Sequence, residues 1–206
     1  MELVLFGKAS VVGLLIAAPV GPIGLLCIQR TLSRGASIGV ASGLGAATAD
    51  AIYGAIGAAG LTAVIQLFTA LSQPLAILGA LFLAWMGVRL LQTPATNGPA
   101  AAANAGGMGA AFGSTLLLTL ANPMTILSFI AVFAALGGSQ DLASVAMATM
   151  VAGVFFGSAL WWLILTASVT LVRHRLKEST LTLISRGAGA LLIGFAGWQI
   201  YATLFR

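Results

Sequence analysis

The sequence predicts an all-α integral membrane protein whose six transmembrane helices form two inverted three-helix repeats, the first helix of each repeat being broken. Three observations lead there. Of 206 residues, 60% are hydrophobic and 6% charged, with a mean hydropathy of +1.09, too few polar groups to cover a water-soluble surface. A shift of 110 residues lays Leu78–Leu90 on Ala188–Ile200, matching Gly79 with Gly189, Ala80 with Ala190, Leu81 with Leu191 and Gly87 with Gly197. The same shift pairs Gly43 with Gly153, Thr48 with Ser158 and Ala49 with Ala159, and a shift of 101 lays Gly21-Pro22 on Asn122-Pro123.

Each span follows from an apolar run long enough to cross about 30 Å of hydrocarbon. The first runs from Leu3 or Ala9 to Gln29 and ends at a basic loop, Arg30 to Arg34. Val11 to Ala18 could pass for a short leader core, but Glu2 precedes Lys8 and apolar sequence resumes beyond, so a retained span is expected. The second, Ile38 to Leu67, is rich in glycine and alanine and carries Asp50; the third, Pro74 to Leu91, ends at Arg89. Residues 93–109 have a linker's composition and divide a first repeat, 1–92, from a second, 110–206. The fourth span, Ala110 to Leu136, contains Asn122-Pro123, the fifth runs from Leu142 to Val172, and the sixth from Leu183 to Phe205. Three spans per repeat oblige the second copy to enter from the opposite face, an architecture used by transporters.

Charge sets the orientation. Arg30, Arg34, Arg89, Arg173, Arg175, Lys177 and Arg186 flank the loops after spans one, three and five, against Lys8 and Arg206 on the other side. By the positive-inside rule those loops are cytoplasmic. Both termini are then periplasmic, in a multi-pass protein of a bacterial inner membrane. The net charge of +5 forms no basic-aromatic face, so nucleic acid is not an expected partner. A single cysteine, Cys27, excludes an internal disulfide, and a single histidine, His174, excludes a multi-histidine metal cage. An intramembrane enzyme would need a nucleophile with a base or a metal ligand set, and none is visible. No cofactor is expected.

The helix breakers point to a site. A proline removes one backbone N–H and frees a carbonyl, which hydrocarbon tolerates only where protein or a wet cavity answers it. Gly21, Pro22, Asn122 and Pro123, with Thr125 just beyond, are therefore expected to face inward near mid-membrane, where half-helix ends can hold an ammonium and a carboxylate. Asp50 is the only acid deep in any span, and a charge there costs roughly 2.5 to 3.5 kcal/mol on insertion scales. It is expected to bind substrate or to take up and release a coupled proton, with Thr48 and Tyr53 flanking it as hydrogen-bond donors. Gly39, Gly43 and Gly54 share its face and, with Gly153 of the second half, serve close helix packing. Trp85, Trp161, Trp162 and Trp198 are read as interface anchors or packing aromatics, with the lining of a pocket by one of the pair Trp161-Trp162 as the lesser alternative, and Arg89 as snorkelling rather than reaching into the pathway.

At these residues the chain resembles a family. "APVGPIGLLCIQRTLSRGASIGVASGLGAATADAIYGAIGAAGL", Ala18 to Leu61, is similar to the N-terminal signature of the LysE/RhtB amino-acid exporters, and "ANPMTILSFIAVFAAL", Ala121 to Leu136, resembles their second-half Asn-Pro segment. Many members read Pro-Gly-Pro where this chain has Pro19-Val20-Gly21-Pro22, the form of the lysine-exporter-like branch, and the Pro-Gln pair that often follows the fourth span is absent. The resemblance implies export of amino acids or related metabolites driven by an ion gradient. No Gly-x-x-x-x-Gly-Lys-Ser/Thr loop is present to cradle ATP, so a secondary carrier, a proton antiporter, is the expected mechanism. Export of divalent cations and a passive channel are the alternatives, and association as a homodimer is left open.

Overall fold

A computed structural model describes residues 2–19, 21–58, 62–92, 107–122, 125–126, 128–129, 144–173 and 175–205. Among these the regular elements are seven helices and no strand: α1 (Glu2–Ala17), α2 (Pro22–Arg34), α3 (Ala36–Ala58), α4 (Thr62–Gln92), α5 (Gly107–Leu120), α6 (Ser144–Arg173) and α7 (Glu178–Leu204). Three stretches are long and apolar enough to cross a membrane: Gln73–Gln92, Ser144–Arg173 and Ser179–Leu204. At 1.5 Å per residue the shortest already spans about 30 Å. The pair α1 and α2, bent by 81° at their break, counts as a fourth when taken together. Lipid-grade side chains such as Leu15, Trp85, Phe156, Leu160 and Trp198 lie exposed on the outside.

α3 falls short of that apolarity because glycine, hydroxyls and Asp50 dilute it, and its surroundings explain why it can. It packs on α5, α6 and α2, and most of its length is buried. A helix walled by protein needs smallness more than hydropathy. A methyl group on Gly43 would overlap the Trp162 side chain, and one on Gly45 the Phe112 carbonyl of α5. Likewise, side chains on Gly153 or Gly157 of α6 would drive into α1, where Phe6, Ala9 and Ser10 lie. Gly54 meets Val154 only at ordinary van der Waals distance, 3.5 Å.

The packing pairs α1 with α6, α5 with α3, α3 with α6, and α4 with α7. Exchanging α1 with α5, α3 with α6 and α4 with α7 leaves that list of pairs unchanged. α4 and α7 run antiparallel: Gln73 Nε2 donates to the Thr203 carbonyl at 3.3 Å, Gln199 Nε2 to the Ala76 carbonyl at 2.8 Å, and Gly87 meets Gly189 backbone to backbone.

Several boundaries differ from the sequence expectation. The helix expected to end at Leu67 ends at Ala58, and Pro74, expected to open the third span, lies inside α4. A proline costs a helix one N–H, and the carbonyl it leaves unanswered belongs to exposed Ala70. Residues 107–109, assigned to the linker, begin α5; residues 93–106, Pro123 and His174 lie outside the described residues. The basic stretch Arg30 to Arg34 is no loop but the last turn of α2, and the chain reverses at Gly35, whose φ of +97° suits glycine alone. α7 begins at Glu178, inside the segment expected to be a basic loop.

Candidate functional site

The two breaks are built alike. α1 ends at Ala17, Gly21 occupies the N-cap of α2, and its carbonyl accepts the Leu25 N–H at 3.0 Å. Pro22 thus stands in the first turn of a new helix, where an amide has no partner and the missing N–H costs nothing. The first helix is broken into two half-helices here, and the carbonyls left over belong to the end of α1 and are not freed by Pro22 itself. α5 ends at Leu120, and the Asn122 carbonyl accepts from the amides of Thr125 and Ile126 at 3.1 and 3.2 Å, starting a new helical turn beyond the break. Asparagine is among the best residues for such an N-cap position.

Both breaks open on one cleft of about 60 Å³, lined by Ile16, Ala17, Pro19, Gly21, Pro22, Ile23, Gly24, Ala46, Asp50, Thr119, Asn122, Thr125 and Trp162. A smaller void of about 10 Å³ adjoins Pro22 and Asn122 on the side of Gly79 and Gln199. Of the residues singled out in the sequence, Asp50, Gly21, Pro22, Asn122 and Thr125 meet in this cleft. Asp50 is 3% exposed, and Ser158 Oγ of α6 donates to its Oδ2 at 2.6 Å. Asp50 is also the only charged side chain among the lining residues.

Two other expectations are corrected. Thr48 does not flank the carboxylate: its hydroxyl donates to the Leu44 carbonyl of its own helix at 2.8 Å, the usual resting place of a mid-helix threonine. Tyr53 lies within reach of the Asp50 charge, but its hydroxyl donates to the Leu120 carbonyl at 2.5 Å and its ring stacks on Phe129 at 5.6 Å. The end of α5 leaves such carbonyls without a helical partner, and Tyr53 answers one of them.

Four site residues were missed or given a lesser role by the sequence reading. Ser158 carried a signal, since the repeat aligns it with Thr48. Trp162 and Thr119 line the cleft, 5% and 4% exposed, and neither Trp162 Nε1 nor Thr119 Oγ1 has a hydrogen-bond partner among the described residues. The fourth is Arg30, expected in a cytoplasmic loop and instead 5% exposed. Its Nη1 donates to Ser42 Oγ, the Ala111 carbonyl and Thr115 Oγ1 at 3.0, 3.1 and 2.8 Å; its Nη2 donates to Ser114 Oγ at 2.8 Å and approaches Met86 Sδ at 3.8 Å. One guanidinium thereby ties α2 to α3, α4 and α5. Arg89 keeps to the outside, stacked 5.1 Å above the exposed ring of Trp85.

A helical bundle in which two helix breaks meet around a buried carboxylate, the one buried acid among the described residues, has the form of a membrane transporter. The comparison with known proteins is consistent with it: residues 14–203 match the LysE type translocator model, and the chain belongs to that family. It is a transporter and not an enzyme. It is similar to the chemotactic transduction protein ChpE of Pseudomonas aeruginosa, 30% identical over 173 residues that cover 82% of this chain and 84% of that one. The membrane protein YahN of Escherichia coli is 29% identical over 178 residues, 84% and 79% of the two chains. The leucine efflux protein of Salmonella typhimurium is 31% identical over 114 residues, 55% of this chain and 54% of that protein. No solved structure matches significantly.

Proposed function

We propose that this protein exports neutral, apolar amino acids across a bacterial inner membrane by exchange for protons, through six spans arranged as two inverted three-helix repeats. The observation that carries the reading is the cleft where both helix breaks meet Asp50. α2 presents its N-terminus there, the positive end of a helix dipole, with the Ile23 and Gly24 amides in the unpaired first turn, while α1 and α5 bring C-terminal carbonyls. A zwitterion fits that mixture of donors and acceptors, with its ammonium on Asp50. The carboxylate then serves both cargoes: it holds either a proton or the substrate ammonium, and that competition couples the two fluxes.

The lining supports the substrate class. One acid suffices for one ammonium, and Ile16, Ala17, Ile23 and Ala46 give the wall an apolar part beside its neutral polar groups; lysine would bring a second ammonium with no second acid among the described lining residues to meet it. Three relatives besides the one described above also carry the name leucine efflux protein. A divalent cation has less support, since no three His, Cys, Asp or Glu side chains converge among the described residues. The exchange pattern of helix pairs supports the repeat, although three spans are long and apolar in their own right. At about 60 Å³ the cleft lies well below the roughly 300–1,000 Å³ of sites that enclose small ligands, so loading requires the half-helices to part.

Purified protein in liposomes, loaded with a panel of labelled leucine, lysine and manganese and subjected to an imposed proton gradient, tests this. Gradient-dependent leucine efflux exceeding that of lysine and manganese is expected. Equal transport with and without the gradient, or manganese as the preferred cargo, overturns it.

A further inference from the structure

An indole N–H can only donate, and burying it without an acceptor forfeits the hydrogen bonds it makes in water. Trp162 Nε1 is in that position at the wall of the cleft, and so is Thr119 Oγ1 on the facing helix, both more than nine-tenths buried and both without a partner among the described residues. The packing holds the indole where it is: Gly43 of α3 lies against the first atoms of its side chain and leaves no room for even a methyl group. Natural structures rarely leave such groups unpaired, and those that do usually reserve them. The missing partner of Trp162 must be an acceptor. No lysine or arginine is among the described residues that line the cleft, so an anionic group entering it depends on neutral donors.

We infer that Trp162 and Thr119 form the carboxylate-reading half of the site, their N–H and O–H closing on the two oxygens of the substrate carboxylate while Asp50 of α3 holds its ammonium. This rests on the amino-acid reading above and adds to it the residues that distinguish an acid from its amide. It also places specificity on α5 and α6, so that a bound substrate bridges both halves of the chain. Thr119 and Trp162 are specificity residues; Gly43 is a positioning residue.

The test measures binding of leucine and leucinamide, and thermal unfolding without substrate, on the purified full-length protein and on Thr119→Val, Trp162→Phe and Trp198→Phe. Wild type is expected to prefer leucine over leucinamide by at least about tenfold, the scale of a lost hydrogen bond to a charged group. Thr119→Val and Trp162→Phe each bring that ratio toward one, while Trp198→Phe, exposed on the outer surface, leaves it intact. Thr119→Val, nearly isosteric, unfolds at an unchanged or higher temperature, because an unpaired buried hydroxyl has been removed; a structural role would lower it. Should Trp162→Phe fail to fold, Thr119→Val decides alone. The inference falls if wild type does not distinguish acid from amide, if both variants keep the wild-type ratio, or if Thr119→Val loses stability. Wild type binding both probes alike overturns the carboxylate contact and leaves amino-acid transport standing. Binding of neither probe, nor of any other amino acid in a panel, overturns both; if another amino acid binds, its own acid-to-amide ratio decides.

Discussion

Asp50 and Arg30 carry opposite lessons about reading single residues. Asp50 stood out in the sequence because an acid inside a long apolar run has no cheap explanation. Arg30 did not, because four residues of helix separate it from Arg34, and a basic residue in the last turn inside the bundle reads like one in the loop beyond. Its partners come from residues 42, 86, 111, 114 and 115, which no local pattern brings together. Thr119 was invisible for the same reason, and Trp162 was visible only as a lesser candidate for a pocket wall, because their lack of a hydrogen-bond partner among the described residues exists only in three dimensions. Replacing Arg30 with alanine removes the donor shared by the Ser42, Ser114 and Thr115 hydroxyls and the Ala111 carbonyl and should lower the unfolding temperature in detergent by about 5–10 °C, from the 1.5–3 kcal/mol typical of hydrogen bonds to a charged group. Arg30→Lys should recover less than half of that, since an ammonium cannot fork to the same partners. Asp50→Asn keeps the shape and should insert normally yet lose gradient-driven export, with Asp50→Glu retaining part; initial export rates at matched expression, measured against external pH, check this.

At the scale of elements, both breaks were legible, because Gly-Pro and Asn-Pro inside apolar runs have few other uses in a membrane. What the sequence did not show was the register of the break: Gly21 is the N-cap and Pro22 the first residue of the second half-helix, so the proline itself frees no carbonyl. Helix ends were less legible still. α4 runs through Pro74, and α3 stops nine residues before the expected Leu67 because smallness, not hydropathy, marks a helix enclosed by others. The glycines of α4 and α7 give a paired test. A Cβ on Gly87 would lie 2.7 Å from the Gly189 carbonyl, whereas one on Gly197 would meet nothing within 4 Å. Gly87→Ala should therefore separate the helices and lower the unfolding temperature by several degrees, while Gly197→Ala, which improves helix propensity by up to about 1 kcal/mol, should be neutral or stabilising. Equal effects at the two positions would show that α4 and α7 do not meet there.

Over the whole molecule, the class was legible from composition and from helix breakers set inside apolar runs, and the proposed inverted repeat would relate the packing of α1 on α6 to that of α5 on α3. Sidedness rests on charge. Gly35, at the turn after α2, lies near the Arg173 guanidinium at the end of α6, so the Arg34 and Arg173 ends share one face of the bundle. In a Cys27→Ser background, cysteines at Ser144 and Ser179, the first near the start of α6 and the second near the start of α7, should react with an impermeant thiol reagent from opposite sides of the membrane, Ser144 from the periplasm. Labelling from one side would dissolve the topology. The central claim is that one carboxylate at the meeting of two broken helices trades a proton for a substrate ammonium, and proton release on binding reports it most directly. Leucine added to purified protein in weakly buffered detergent, at a pH where the empty site holds its proton, should release close to one proton per leucine bound from wild type and none from Asp50→Asn. Leucine binding without proton release, or release of the same size from Asp50→Asn, would contradict the account.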